Sequence, residues 1–279
     1  MEEQTTKNNN EGEAKVMSFW EHLEELRGHV IRSLVAVAVL AVAAFLNRHL
    51  IFDTIILAPS SSHFVTYRWL CELGQLIHAK SLCFGDLNLK IINIKMSGQF
   101  LTHMYISLVA GLILSFPYVL WEIWRFVSPA MYQNERKHSR GGLFFSTFLF
   151  LIGIVFSYFL IVPITVNFLG TYSVSENVVN QITLGSYINT VVSLTFAVGL
   201  VFELPILVYF LTRIGVITPD FLKKNRKYMV IILLVVSAII TPPDVFSQMM
   251  VFIPLLTLYE FSILVSKRVY KKAQRMAAA

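Results

Sequence analysis

The chain has 279 residues, of which 56% are hydrophobic and only 14% charged, with a mean hydropathy of +0.64. Soluble domains carry about a quarter of their residues as charges, so this composition excludes an ordinary soluble fold and indicates an all-α integral membrane protein. The net charge of +6 and pI near 9.3 do not argue for nucleic acid, because the basic residues flank apolar runs, where anionic lipid headgroups suit them better.

Residues 1–16, rich in Glu, Asn and Lys, have too little apolar content to fold and are expected to be disordered. They also lack the pattern of a secretory signal peptide. Ser18 stands three residues before Glu21, a capping-box spacing that starts a helix at SFWEHLEELRGHV and runs it into the first apolar run. Six such runs follow, at residues 30–46, 100–124, 143–166, 187–211, 228–240 and 246–266. A bilayer offers no water to unpaired backbone groups, so each run is expected as a helix, with loops confined to the aqueous sides. The fifth run has only 13 residues, about 20 Å of helix at roughly 1.5 Å per residue, and crosses only if the bilayer thins around it.

Orientation follows from charge. With the N-terminus inside, every Lys and Arg falls on the cytoplasmic side except Arg48, Arg68, Lys80, Lys90 and Lys95, all in the first outer loop. Both termini are thus cytoplasmic. The expected organisation is an acidic, Asn-rich lead over 1–16, a six-helix membrane domain over 17–268 with short fifth and sixth helices, and a basic cytoplasmic tail over 269–279.

The first outer loop, about 47–99, holds both cysteines, Cys71 and Cys83. A disulfide and two free thiols both fit their spacing. Two later inner loops open with Ser128-Pro129 and Thr218-Pro219, pairings suited to an N-cap and first helical position.

No nucleotide-binding loop, zinc spacing or nucleophile signature occurs, and the spans hold no GxxxG pairs, so no enzyme activity, cofactor or metal is expected. The histidines are scattered, and each, His22 and His29 included, reads as a surface or interfacial residue. Carboxylates on the basic inner face stand out instead. HLEELR presents Glu21, Glu24 and Glu25 within about one turn beside Arg27, and Glu135 lies in the next inner loop. One reading pairs Glu24 and Glu25 with Arg27, Arg136 or Lys137 as surface ion pairs of little worth. The other makes them a groove for a basic peptide, with Arg preferred to Lys because a planar guanidinium bonds a carboxylate at two points.

Glu203, in TFAVGLVFELPILVYF, lies about eight residues from the inner end of the fourth run, near mid-membrane. A charge there costs at least about 2.5–3.5 kcal/mol, so it should face the bundle interior or a wet hollow. Pro205 frees the carbonyl of Val201, which predicts a kink and offers Glu203 a backbone partner. Asp244, after Thr241-Pro242-Pro243, reads as the cap of the sixth helix. Glu260 is expected to be compensated by Lys267 and Arg268, and Glu122 to sit at the interface beside Arg125 with Trp121 and Trp124.

Taken together, HLEELR, FVSPAMYQNERK, FSYFLIVP, VGLVFELP and TPPDVFSQ resemble the signature segments of the TatC family, a membrane component of the twin-arginine protein translocase. They occur in the family's order over about residues 18–268. The resemblance implies a concave, cupped six-helix bundle in the bacterial inner membrane that receives twin-arginine signal peptides. It also implies single-span TatA and TatB-type partners, a homo-oligomer within a larger complex, and transport of folded proteins driven by proton-motive force. Carried over by motif, Glu25 and Glu135 contact the two arginines and Phe126 contributes to signal recognition. Glu203 meets a partner helix, while Arg27, Pro59 and Asp244 are further family positions. Gly28-His29 departs from the family, whose members usually carry more basic residues there. An ion-coupled secondary transporter with Glu203 as proton carrier is the alternative, although internal symmetry and paired broken helices are not evident. A structural scaffold is a third class.

Overall fold

The structure is a computed structural model that describes residues 19–76, 89–127, 133–175, 177, 180–242 and 244–277. Side chains at 19–22, 73, 127, 133–140, 272–273 and 275–277 fall outside that description, as do the expected disordered lead, Ser18 of the capping box, the Ser128-Pro129 pair and Cys83.

The fold is a helical bundle. Helix α1 (Phe19–Leu46) carries the polar segment from Phe19 and the first apolar run without interruption. A π-helical stretch, Leu50–Ile56, and a 3-10 turn, Ala58–Ser60, lead to α2 (Val65–Leu76) in the loop between α1 and α3. Helix α3 (Gly98–Val127) returns across the bilayer and packs along α1. At their crossing a Cβ on Gly111 would lie 2.7 Å from the backbone nitrogen of Ala41, so the two helices approach as closely as a bare Cα allows, without a GxxxG pair.

Helix α4 (Gln133–Phe156), a π-helical turn (Ser157–Ile161) and α5 (Val162–Thr171) form one continuous run. Pro163 has no N–H to give, and the wider π turn immediately before it absorbs the defect. Helix α6 (Leu184–Val201) is the centre of the core, with Ile188, Val191, Leu194 and Val198 fully buried against α3, α4 and α5. As Pro205 predicts, the helix breaks at Phe202-Glu203 before α7 (Leu204–Arg213). Gly215, at φ 80°, ends α7 by supplying the left-handed backbone that a helix C-terminus requires.

Thr218 caps α8 (Pro219–Lys224), accepting from Phe221 N at 3.2 Å, as the Thr-Pro pairing predicts. Helix α9 (Arg226–Ile240) is the short fifth run; its 15 residues amount to about 22 Å, less than a hydrocarbon core of about 30 Å. Among the described residues five helical segments are long and apolar enough to cross a membrane: Leu23–Leu46, Gly98–Phe126, Gly141–Thr171, Leu184–Arg213 and Val245–Lys271. The sixth helix, expected to be short, is long. Helix α10 (Val245–Ala277) has 33 residues, because the Lys, Arg, Gln and Ala that follow the apolar run are strong helix formers and nothing among them breaks it. The basic tail is therefore helical to Ala277. Two-residue strands β1 (Ile91–Ile92) and β2 (Ile182–Thr183) pair in parallel and tie the segment before α3 to the segment before α6.

Candidate functional site

The N-terminal part of α1 presents Glu25, His29 and Arg32 toward the C-terminal part of α3, where Tyr118, Glu122 and Phe126 share one face at four-residue spacing. The imidazole of His29 bonds through Nδ1 to Oε2 of Glu122, 93 residues away. Tyr118 donates to Glu122 Oε1 at 2.8 Å, and the Arg32 guanidinium lies 3.8 Å from Oε2. Glu122 is 1% exposed and His29 6%.

Both placements correct the sequence-based expectation. Glu122 is not an interfacial partner of Arg125, which instead lies over the Trp121 ring. His29 is not a surface residue. The cause is the tight α1–α3 crossing, which brings two polar helix faces together and leaves each group no water to bond. The sequence signal that could have found the pair is the spacing of Glu25, His29 and Arg32 on one face of α1.

Beyond His29 stands Glu25. Its Oε1 is 4.0 Å from His29 Nε2, and Oε2 is shielded from solvent without a hydrogen-bond partner among the described residues. Among the described residues no Lys or Arg side chain pairs with this carboxylate, and both Glu24 and Arg27 are exposed. Phe126 completes the group, its ring edge-on to the His29 ring at 6.1 Å. The structure thus assembles Glu25 and Phe126. The backbone of Glu135 lies in the first turn of α4, and its side chain is outside the described residues.

Glu203 occupies the break between α6 and α7. Its Oε2 accepts from Ser146 on α4, and Oε1 is shielded and unpartnered. The partner is thus a side chain, not the carbonyl freed by Pro205. Separately, toward the C-terminal end of α1, that helix, the π-helical stretch after it, α3, α4 and α6 line an apolar hollow of about 610 Å³ whose wall includes Ala44, Ile106, Ile113, Val155 and Val192. Glu260 is also reassigned: Arg226, at the start of α9, pairs with it rather than Lys267 or Arg268. That follows from the packing of α9 on α10.

At the opposite end of the bundle Pro59 is buried, and the single hydroxyl proton of Tyr67 is shared between its carbonyl oxygen, 3.0 Å away, and that of Pro163, 2.9 Å away. Tyr187 and Tyr158 donate to Ile56 O and Ile55 O at 2.8 and 2.7 Å. These tyrosines, which no sequence pattern singles out, lash the loop to the bundle. Asp244 caps α10 as expected, accepting from Ser247 N at 2.6 Å, while its Oδ2 is unpartnered. Cys71 is disulfide-bonded. Among the described residues no group of three His, Cys, Asp or Glu is placed to hold a metal ion.

Comparison with known proteins bears on what this arrangement serves. Residues 21–254 match the family model of TatC, the Sec-independent protein translocase protein. The chain is 41% identical to the Sec-independent protein translocase protein TatC of Blattabacterium sp. subsp. Periplaneta americana, over 93% of this chain and 98% of that one. It is 36% identical to TatCy of Bacillus subtilis, over 94% of each. Among solved structures it is similar to the twin arginine translocase receptor TatC in DDM, with a TM-score of 0.72 and 32% identity over 88% of this chain and 99% of that one.

Proposed function

The chain belongs to the TatC family of Sec-independent protein translocase proteins, and from that premise we propose that it is the signal-peptide receptor and core component of a twin-arginine translocase. Glu25 and Glu135 take up the two guanidinium groups at the cytoplasmic surface, and the apolar part of the signal runs into the hollow between α1, α3, α4 and α6. Recognition is forked hydrogen bonding plus apolar burial, with no covalent step. The observation that carries this reading is Glu25: a carboxylate on a strongly basic face, with one shielded oxygen unpartnered and no cationic Lys or Arg among the described residues to neutralise it.

We assign the chain to the bacterial inner membrane with both termini cytoplasmic. The disulfide at Cys71 supports putting α2 on the oxidising side, with Cys83 as its partner, the chain having two cysteines. Glu203 is assigned to contact with the membrane helix of a single-span TatA or TatB-type protein, since a shielded carboxyl oxygen without a partner at that depth calls for a polar one.

The test is photocross-linking from positions 25 and 135 to a twin-arginine precursor, together with peptide binding by a Glu25→Ala, Glu135→Ala double variant. Cross-links at both positions and lost binding are expected; undiminished binding by the double variant rejects the site.

A further inference from the structure

We propose that Glu122 is a positioning residue for arginine recognition: by holding the His29 imidazole against itself, it fixes the surface on which Glu25 and Phe126 receive a guanidinium. The inference rests on the reading of Glu25 as a receptor carboxylate and extends that site one layer inward.

Burying Glu122 is costly. An ionised carboxylate that is 1% exposed gives up its hydration, and a buried ion pair is commonly no more stable than an apolar pair of the same volume. Its presence therefore calls for a geometric role. Glu122 has three partners, and they differ in kind. Tyr118, one turn away on α3, orients the carboxylate, while Arg32, whose side chain is 53% exposed, supplies charge from 3.8 Å. His29 leads on to Glu25. With Oε2 of Glu122 accepting, the imidazole proton sits on Nδ1, which sets the ring plane and aims Nε2 at Glu25 Oε1 4.0 Å away.

That gap is too long for a hydrogen bond, so His29 borders Glu25 without occupying its oxygens. The His29 ring also packs against Phe126 in a T-shaped arrangement, with centroids 6.1 Å apart. A fixed imidazole plane, an aromatic ring and an unpartnered carboxylate oxygen together suit a flat cation that both forks and stacks. A guanidinium does both, and a compact ammonium does neither. Glu122 and His29 thus act on the choice of Arg over Lys without Glu122 touching the peptide. Since Arg stacking and forking need a defined surface, freeing the imidazole should cost Arg more than Lys.

The experiment measures the affinity of the full chain, in lipid nanodiscs, for a fluorescent twin-arginine signal peptide and for the same peptide with two lysines. Glu122→Ala is expected to weaken the arginine peptide about tenfold and the lysine peptide less than about twofold, the size of one charge-assisted hydrogen bond made in the wrong place. Glu122→Gln keeps an acceptor for Nδ1–H and is expected to recover to within about threefold. Added to Glu25→Gln, Glu122→Ala is expected to cause little further loss, because both act through one surface. Equal weakening of both peptides, or additive losses in the double variant, overturns the inference. Should Glu122→Ala fail to assemble, His29→Ala makes the same measurement with the same expected ratio. Loss of binding in Glu25→Gln with full Arg preference in the Glu122 and His29 variants rejects only this inference; undiminished binding in Glu25→Gln rejects the receptor reading beneath it.

Discussion

Ser146 on α4 donates its hydroxyl proton to Oε2 of Glu203 in the break between α6 and α7, joining groups 57 residues apart in sequence. The bond satisfies one oxygen of a carboxylate set deep in a membrane-spanning segment and leaves the other, shielded, without a donor.

If the second oxygen awaits a partner protein, Glu203→Ala should abolish co-purification of the single-span partners and cut transport severely, while the variant still folds. Ser146→Ala should cost about 1–3 kcal/mol of stability, the penalty for stranding a buried acceptor, with transport largely kept. Full transport and intact co-purification in Glu203→Ala would reduce Glu203 to a local helix-break residue; liposome solute uptake that depends on it would favour an ion-coupled transporter.

Gly111 should tolerate no side chain. A Cβ there would lie 2.7 Å from Ala41 N and 2.8 Å from its Cα, backbone atoms that yield only if α1 and α3 separate. Gly111→Val is expected to lower stability by about 1–3 kcal/mol or more by overpacking, read from thermal unfolding in detergent. Since the same crossing brings His29 to Glu122, affinity for the arginine peptide should fall with it. Gly141, with nothing within 4 Å of a built Cβ, provides the control: Gly141→Ala should gain up to about 1 kcal/mol from helix propensity.

Asp244→Ala should cost about 1 kcal/mol through loss of the α10 cap, whereas Asp244→Asn, which retains an acceptor for Ser247 N, should cost less. Amide exchange in the first turn of α10 distinguishes the two: faster in the alanine variant, near wild type in the asparagine one.

Tyr67 links stability to alkaline pH. Burial pushes its phenol above the ordinary value near 10, so the unfolded chain ionises first. The contribution of Tyr67 is therefore complete below about pH 10 and is lost as pH rises above that toward the folded value. Melting temperatures followed from neutral to alkaline pH should show a shallower decline in Tyr67→Phe than in the wild type. That variant should also be about 1–2 kcal/mol less stable at neutral pH, because the Pro59 and Pro163 carbonyls lose their common donor.

Particular residues show how far the sequence can be read. The Glu203-Leu204-Pro205 break, the Thr218 and Asp244 caps and the short α9 are all legible, because each depends on residues within a few positions of itself. The sixth helix reads too short when apolar length, rather than helix propensity, is used to end it. Glu25 and Phe126 stand out as candidates from their motifs, yet their proximity does not: it becomes visible through His29, which borders both. Closeness in sequence assigns Glu260 to Lys267 and Arg268, whereas the fold supplies Arg226.

By itself the sequence determined the solvent: long apolar runs between basic flanks admit only a membrane protein, since hydrophobic length and charge asymmetry are properties of the chain taken one residue at a time. What the tertiary structure alone decided is which polar groups meet inside it. His29 found Glu122, and Ser146 found Glu203, because helices can turn any face toward one another until packing sets their rotation and approach. At the α1–α3 crossing that setting comes from a missing side chain at Gly111, and the pairing of the buried acid follows from it.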